Sequence, residues 1–101
     1  MKIVFISGKY RGKDYQEIEA NIQLAKQAAI ELWKQGYAVI CPHLNTAHFD
    51  GFCPDEVWLE GDIEIMKRCD AVYFLNNWGQ SQGSIKEHKI ATDMGLELIY
   101  Q

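Results

Sequence analysis

One acidic side chain falls on a position that helical periodicity assigns to an apolar face. Glu87 lies three, four and seven residues before Ile90, Ala91 and Met94, so in a helix it shares their stripe. An ionised carboxylate among apolar groups is costly unless partners compensate for its lost hydration. Glu87 is therefore either paired within the fold or available for chemistry.

Asp62 repeats this pattern in the segment before. It lies three, four or seven residues from each apolar residue of the inward face, which we predict to contain Trp58, Leu59, Ile65, Met66 and Cys69. Two carboxylates across a cleft can cleave a glycosidic bond, one as nucleophile and the other as proton donor to the leaving group. For either acid alone, capping a loop or pairing with Lys or Arg explains the position equally well, and periodicity does not show that the two face each other.

The elements that must position these acids alternate between strand and helix. Four short apolar runs predict strands at residues 2–7, 37–41, 71–75 and 96–100. The first helix begins after Asp14 and ends before Gly36, with an apolar stripe of Ile18, Ile22, Ala25, Ala29 and Leu32. Two further helices are predicted at residues 55–68 and 84–94. This order predicts one α/β domain over residues 1–101, a three-layer sandwich with a parallel sheet of four to five strands.

In such a sheet, ligands bind outside the carboxyl ends of the strands. Three predicted loops lie there, at residues 8–13, 43–54 and 76–83. The middle loop is long for a compact domain, which is typical of functional loops. His43 and Asn45 in that loop could read a nucleobase edge or could be ordinary surface polar residues. Trp78 in the last loop could cover a ligand or anchor the loop.

Two of these loops carry groups suited to an anion. Gly8 and Gly12 flank Arg11 after the first strand, and backbone N–H groups beside an arginine can bind a phosphate, although a simple tight turn explains the glycines as well. Ser81, Gly83 and Ser84 open the last helix and offer N–H and hydroxyl groups. Ordinary N-capping by a serine is the alternative explanation.

Composition excludes several classes of function. The chain has 101 residues and a net charge of 10 − 14 = −4, whereas a binder of nucleic acid polymer needs excess Lys and Arg. No apolar run is long enough to cross a membrane, and the first residues do not form a signal peptide, so we expect a cytoplasmic protein. The three cysteines lack the spacing of a metal or disulfide framework. A zinc site of His43, His48 and Cys53 is disfavoured, and we expect neither metal nor cofactor.

Several motifs together resemble a known superfamily. These are an apolar strand ending in Ser-Gly, Tyr10-Arg11-Gly12, Pro42-His43, Asp62 followed eight residues later by the Asp of Cys69-Asp70, and Ser81-x-Gly83-x-x-x-Glu87. The chain resembles the nucleoside 2-deoxyribosyltransferase-like superfamily along nearly its whole length. The resemblance implies a flavodoxin-like fold, a homodimer or larger homo-oligomer, and a nucleoside or nucleotide as the small-molecule ligand.

The resemblance also implies roles for particular residues. Glu87 matches the nucleophile that attacks the sugar C1′, Asp62 matches the acid that helps to protonate the departing base, and His43 matches a contact to the base. Transferases that act on free nucleosides tend to carry Asp where this chain has Ser81. Ser81, Gly83 and Arg11 fit the pattern of 2′-deoxynucleoside 5′-monophosphate N-hydrolases, in which the matching Ser and Arg serve the 5′-phosphate.

One departure leaves an alternative open. Relatives have a tyrosine at the position of Phe5, and its hydroxyl orients the nucleophilic glutamate. Phe5 has no hydroxyl, and Tyr10 is the candidate to replace it. A nucleotide-binding module without catalysis, such as a sensor or scavenger, is therefore the second hypothesis, and a purely structural subunit is the third.

Overall fold

The computed structural model describes all residues, 1–101, and contains one parallel sheet with helices on both faces. The strand order is β2-β1-β3-β4. In chain order the elements are β1 (Ile3–Ser7), α1 (Tyr15–Lys34), β2 (Ala38–Ile40), α2 (Pro42–Asn45), α3 (Asp55–Met66), β3 (Ala71–Phe74), a 3-10 turn (Trp78–Gln80), α4 (Gln82–Met94) and β4 (Glu97–Tyr100). The predicted α/β class and four parallel strands are confirmed.

Helix α1 forms where its capping and apolar signals indicate. The Asp14 side chain accepts a hydrogen bond from the Glu17 backbone N–H at 2.8 Å, which satisfies a free donor of the first turn. Past the helix end, Gly36 has φ +96°, a conformation that suits glycine. Ile22, Ala25, Ala29 and Leu32 are buried as predicted, whereas Ile18 is half-buried.

Strand β1 divides the core into two clusters because successive side chains point to opposite faces of the sheet. Val4 and Ile6 pack with the buried face of α1. Phe5 packs on the other face with residues that include Met66 and Ala91, from α3 and α4. By the same alternation, Ser7 at the end of β1 lies on the face of Phe5, beneath α3 and α4.

Two of the three predicted loops at the carboxyl edge contain a short helix or a 3-10 turn. The segment after β2 opens with the short helix α2, which Pro42 begins at a position where its missing N–H costs no hydrogen bond. Helix α4 begins at Gln82, two residues earlier than predicted, because the Ser81 side chain caps it. Helix α3 ends at Met66 rather than at residue 68. No helix is both long enough and apolar enough to cross a membrane.

Two predicted core positions are wrong. Leu59 is 40% exposed and Met94 is 46% exposed. Leu59 lines an open cavity, and Met94 is the last residue of α4. Ile63, which the predicted stripe omits, is buried instead. On α4, Glu87 is therefore more deeply buried than Met94, which lies on the same predicted stripe.

Candidate active site

A cavity of about 380 Å³ opens at the carboxyl edge of the sheet, in the position that the fold class predicts. Nine of the eleven predicted site residues line it, namely Gly8, Tyr10, Arg11, His43, Asp62, Ser81, Gly83, Ser84 and Glu87. They come from the loop after β1, from α2, from α3, and from α4 with its N-cap. Residues far apart in the sequence are therefore brought around one space.

Glu87 lies on α4 and is only 8% exposed. The Ser7 hydroxyl at the end of β1 donates a hydrogen bond to Glu87 Oε1 at 2.7 Å. Burial raises the pKa of Glu87 to about 7, the Ser7 hydrogen bond opposes that rise, and the negative charge of Asp62 adds to it. The carboxylate is thus desolvated, held by one donor and sensitive to the charge of Asp62.

Asp62 lies on α3 and is partly buried at the same cavity. Burial alone raises the pKa of its carboxyl group to about 6. No hydrogen bond or ion pair within the chain involves its side chain. Two acids with raised pKa values in one cavity can hold a single proton between them near neutral pH, which suits proton transfer.

The start of α4 forms a polar rim beside these acids. Ser81 Oγ accepts from the Ser84 backbone N–H at 3.2 Å, so the predicted N-capping role is present. Ser84 is 2% exposed and also lines the cavity. A Cβ on Gly83 would lie 3.5 Å from the Leu59 side chain, an ordinary contact, so glycine is not required there for space.

Arg11 reaches the cavity mouth from the β1–α1 loop. Its Nη2 lies 2.7 Å from Asp55 Oδ2 at the start of α3, and both side chains are substantially exposed. Asn21 on α1 donates to the backbone carbonyls of Tyr10 and Arg11, at 3.1 and 3.2 Å. This buried asparagine fixes the loop that presents Arg11.

The Tyr10 hydroxyl, the candidate to replace the hydroxyl that Phe5 lacks, does not contact Glu87. The Tyr10 hydroxyl accepts from the His48 backbone N–H at 3.0 Å and lies 3.4 Å from Asp50. It therefore joins the β1–α1 loop to the segment after α2. Ser7, two residues after Phe5 on the same face of β1, supplies the hydrogen bond to Glu87.

His43 is 5% exposed and lines the cavity. Its Nε2 lies 3.2 Å from the Lys9 carbonyl oxygen, which can only accept, so Nε2 carries the proton. Burial lowers the pKa of the imidazole, which keeps the ring neutral. Nδ1 is then an acceptor, and it has no partner within the chain.

Gly12 and Asn45 are not brought to the cavity. A Cβ at Gly12 would lie 2.6 Å from the Glu17 side chain, so glycine is needed for the close approach of this loop to α1. Asn45 is exposed at the end of α2. Trp78 also lies away from the cavity and stacks on His88 with ring centroids 4.4 Å apart, so its anchoring role is the correct alternative.

The sequence does not mark several of the residues that line the cavity as site residues. These include Lys9, Thr46, Asp50, Asp55, Trp58, Gln80 and Gln82. Lys9 belongs to the glycine-flanked loop, so its neighbours already signalled the site. Trp58 lies one helical turn before Asp62 and was predicted only as core. Asp50 and Asp55 follow no periodicity, and no pattern marks them. No group of three or more His, Cys, Asp or Glu side chains is arranged to hold a metal ion.

Comparison with solved structures shows that the chain has a 2-deoxyribosyltransferase-like α/β fold. A 2-deoxyribosyltransferase from Bacillus psychrosaccharolyticus superimposes with a TM-score of 0.67 at 17% identity, over 97% of this chain and 70% of that one. A 2-deoxyribosyltransferase from Leishmania mexicana gives 0.67 at 15% identity, over 99% of this chain and 63% of that one. This chain is therefore shorter than both.

The chain belongs to a family described as a domain of unknown function, DUF4406, which matches residues 2–100. No curated protein matches it. At such low identity the structural likeness establishes the fold, and the chemistry has to be argued from the cavity.

Proposed function

We propose that this protein is an enzyme that cleaves or transfers at the N-glycosidic bond of a (deoxy)nucleoside 5′-monophosphate or nucleoside, through a covalent glycosyl-Glu87 intermediate. The observation that carries the proposal is the buried Glu87 carboxylate, bonded to Ser7 and sharing one cavity with Asp62. That arrangement offers a fixed nucleophile and a nearby acid, the two groups that the reaction needs.

In the first step a Glu87 carboxylate oxygen attacks C1′ and forms an ester bond to the sugar. The C1′–N bond breaks, its electron pair goes to the base nitrogen, and Asp62 in its protonated form donates a proton to the departing base. In the second step water attacks C1′ and gives a proton to the Asp62 carboxylate, while the C1′–O bond to Glu87 breaks and its electron pair returns to the Glu87 carboxylate. A second base takes the place of water in a transferase.

The protonation states limit this sequence. The reactive form needs Glu87 ionised and Asp62 protonated, while the pKa of Glu87, at about 7, lies above that of Asp62, at about 6. Only part of the free enzyme is then in the reactive form at any pH, as for other interacting pairs. The hydrogen bond from Ser7 favours the ionised form of Glu87 and so increases the fraction of enzyme in the reactive form.

His43, Ser81, Ser84, Gly83, Gly8, Tyr10 and Arg11 are proposed as substrate-binding residues. The unpartnered His43 Nδ1 suits an N–H donor of a base. Arg11 and the serine-bearing start of α4 suit a 5′-phosphate. Gly12 is retained only for the close approach of its loop to α1, and Asn45 is no longer proposed as a substrate contact.

Release of free base from a panel of deoxynucleotides and nucleosides tests the proposal. We expect wild type to release base and Glu87→Ala to release none, because no other group supplies covalent catalysis. Glu31→Ala, an exposed change on α1, is the matched control and should retain activity. Equal release by wild type and Glu87→Ala would reject the mechanism.

Phe5 favours a second candidate, a nucleotide-binding sensor or scavenger without catalysis, because relatives have a tyrosine hydroxyl there. Tight binding of a nucleotide with no base released over hours would select it. The Ser7 hydrogen bond to Glu87 is the reason we favour the enzyme.

We further propose a cytoplasmic homodimer. All three cysteines are free thiols, which suits a reducing compartment. Exposed apolar side chains, such as Phe52 at 82% and Val57 at 48%, offer surface for a second copy. Light scattering at micromolar concentration tests the stoichiometry, and a monomer mass would reject the dimer.

A further inference from the structure

The cavity contains two Lys or Arg side chains, and an acid neutralises each of them. Arg11 Nη2 lies 2.7 Å from Asp55 Oδ2, and Lys9 Nζ lies 3.5 Å from Glu17 Oε1. The other charged side chains that line the cavity are the acids Asp50, Asp62 and Glu87. A dianionic ligand therefore meets no unpaired cation in this cavity.

Arg11 is held at the mouth by a partner from a different element. Asp55 is the first residue of α3, whereas Arg11 lies in the loop after β1. Asp55 itself lines the cavity, with a side chain 48% exposed. A phosphate placed on Arg11 would lie beside the Asp55 carboxylate, so the two anions compete for one guanidinium group.

We propose that Asp55 is a specificity-determining residue that competes with a substrate 5′-phosphate for Arg11. By this competition it sets how strongly the site prefers a nucleoside monophosphate over the uncharged nucleoside. The inference rests on the proposed function, since it takes the ligand from it. A nucleoside leaves the Arg11–Asp55 pair intact, while a monophosphate has to replace Asp55 with its own oxygens.

The competition is weak enough to be overcome. Exposed ion pairs contribute little to stability, so a bidentate phosphate can displace the carboxylate. Removing the Asp55 charge while keeping its shape should tighten monophosphate binding about five-fold, because the phosphate then no longer competes with a carboxylate for Arg11. Nucleoside binding should stay within about two-fold, because the nucleoside brings no charge to Arg11.

Calorimetric titration of 2′-deoxyadenosine 5′-monophosphate and of 2′-deoxyadenosine tests the inference on wild type, Asp55→Asn, Arg11→Gln and the double variant. Arg11→Gln should weaken monophosphate binding about ten-fold, and adding Asp55→Asn to it should then change little. Asp93→Asn is the matched control, because it removes the same charge from an exposed pair with Lys89, 3.2 Å away and outside the cavity. Asp55→Ser repeats the test with a second uncharged polar residue at the first position of α3.

Monophosphate binding that is unchanged or weaker in both Asp55 variants would overturn the inference. Equally tighter binding of both ligands would also overturn it, because the uncharged nucleoside does not compete with Asp55 for Arg11. Binding that follows the expected pattern without any base release would reject only the proposed catalysis. No binding of either ligand to any variant would reject both.

Discussion

The two faces of the sheet bury different kinds of side chain. On the face of α1, the cluster around Val4, Ile6, Ala29 and Leu32 consists of apolar side chains. On the face of α3 and α4, Phe5 and Met66 form a similar cluster, but at the carboxyl edge it gives way to buried polar groups. These include Ser7, Ser84 and Glu87. One strand, β1, supplies both faces by alternation, and its last residue, Ser7, donates the hydrogen bond to Glu87.

This contrast indicates that one face of the sheet mainly stabilises the fold, while the other holds the candidate active site. Apolar burial on the α1 face stabilises the fold, whereas a carboxylate buried on the other face costs free energy whenever it is ionised. Substitutions on the two faces should therefore differ in sign as well as in size.

The largest loss of stability is expected on the α1 face. Leu32→Ala removes a side chain that is 3% exposed and should lower the free energy of unfolding by about 3 kcal/mol. Activity per folded molecule should not change, because Leu32 does not line the cavity. Urea unfolding and base release measured on the same preparation check both parts. A lower turnover in the folded variant would contradict the separation of the two faces.

Glu87→Gln should have the opposite effect on stability. The folded-state pKa of about 7 lies above the unfolded value of 4.5, so ionised Glu87 destabilises the fold increasingly as pH rises from 4.5 to 7. The variant should gain about 3 kcal/mol at pH 8 and nothing near pH 4, while losing base release. Glu31→Gln, an exposed change, is the control. Unfolding at both pH values measures the difference, and equal effects at both would contradict the buried charge.

The sequence predicts this contrast only in part. Strand and helix periodicity are local, so the four strands, the α1 stripe and the inward position of Glu87 follow from spacing alone. That Ser7 bonds to Glu87 depends on two residues 80 positions apart, which periodicity does not connect. The Arg11–Asp55 pair and the half-buried Trp58 at the cavity likewise depend on how a long loop folds back. The exposure of Leu59 and Met94 does not follow from the sequence, because a helix stripe does not show where a cavity opens or where packing stops at a helix end.

The pH dependence of base release should show the acid pair directly. We expect a bell-shaped profile of kcat/KM with its maximum between about pH 6 and 7, because the reactive form needs Glu87 ionised and Asp62 protonated. Beyond either side the rate should fall about ten-fold per pH unit. Asp62→Asn should remove the alkaline limb. A profile that stays flat from pH 5 to 9 would contradict two titrating carboxyl groups.

Ser7→Ala tests the hydrogen bond that crosses from the sheet to α4. Without it the pKa of Glu87 should rise, because the Ser7 hydroxyl is the donor that favours its charge. Turnover should fall about ten-fold at pH 6 and recover partly at higher pH. Phe5→Tyr in the same background asks whether a hydroxyl from the neighbouring position of β1 restores activity. Unchanged turnover in Ser7→Ala would remove Ser7 from the site.

The smallest effects compare the two capped helices. Asp14 caps α1 and Ser81 caps α4, at 2.8 and 3.2 Å from the N–H groups that they satisfy. Either residue changed to Ala should cost about 1 kcal/mol of stability in urea unfolding, because each leaves a helix N–H without its side-chain acceptor. Only Ser81→Ala should also weaken binding of a deoxynucleoside monophosphate, several-fold by calorimetry, since Ser81 lines the cavity and Asp14 does not. Equal ligand affinity in the two variants would mean that Ser81 is a cap alone, and that the polar rim of α4 belongs to the fold rather than to the site.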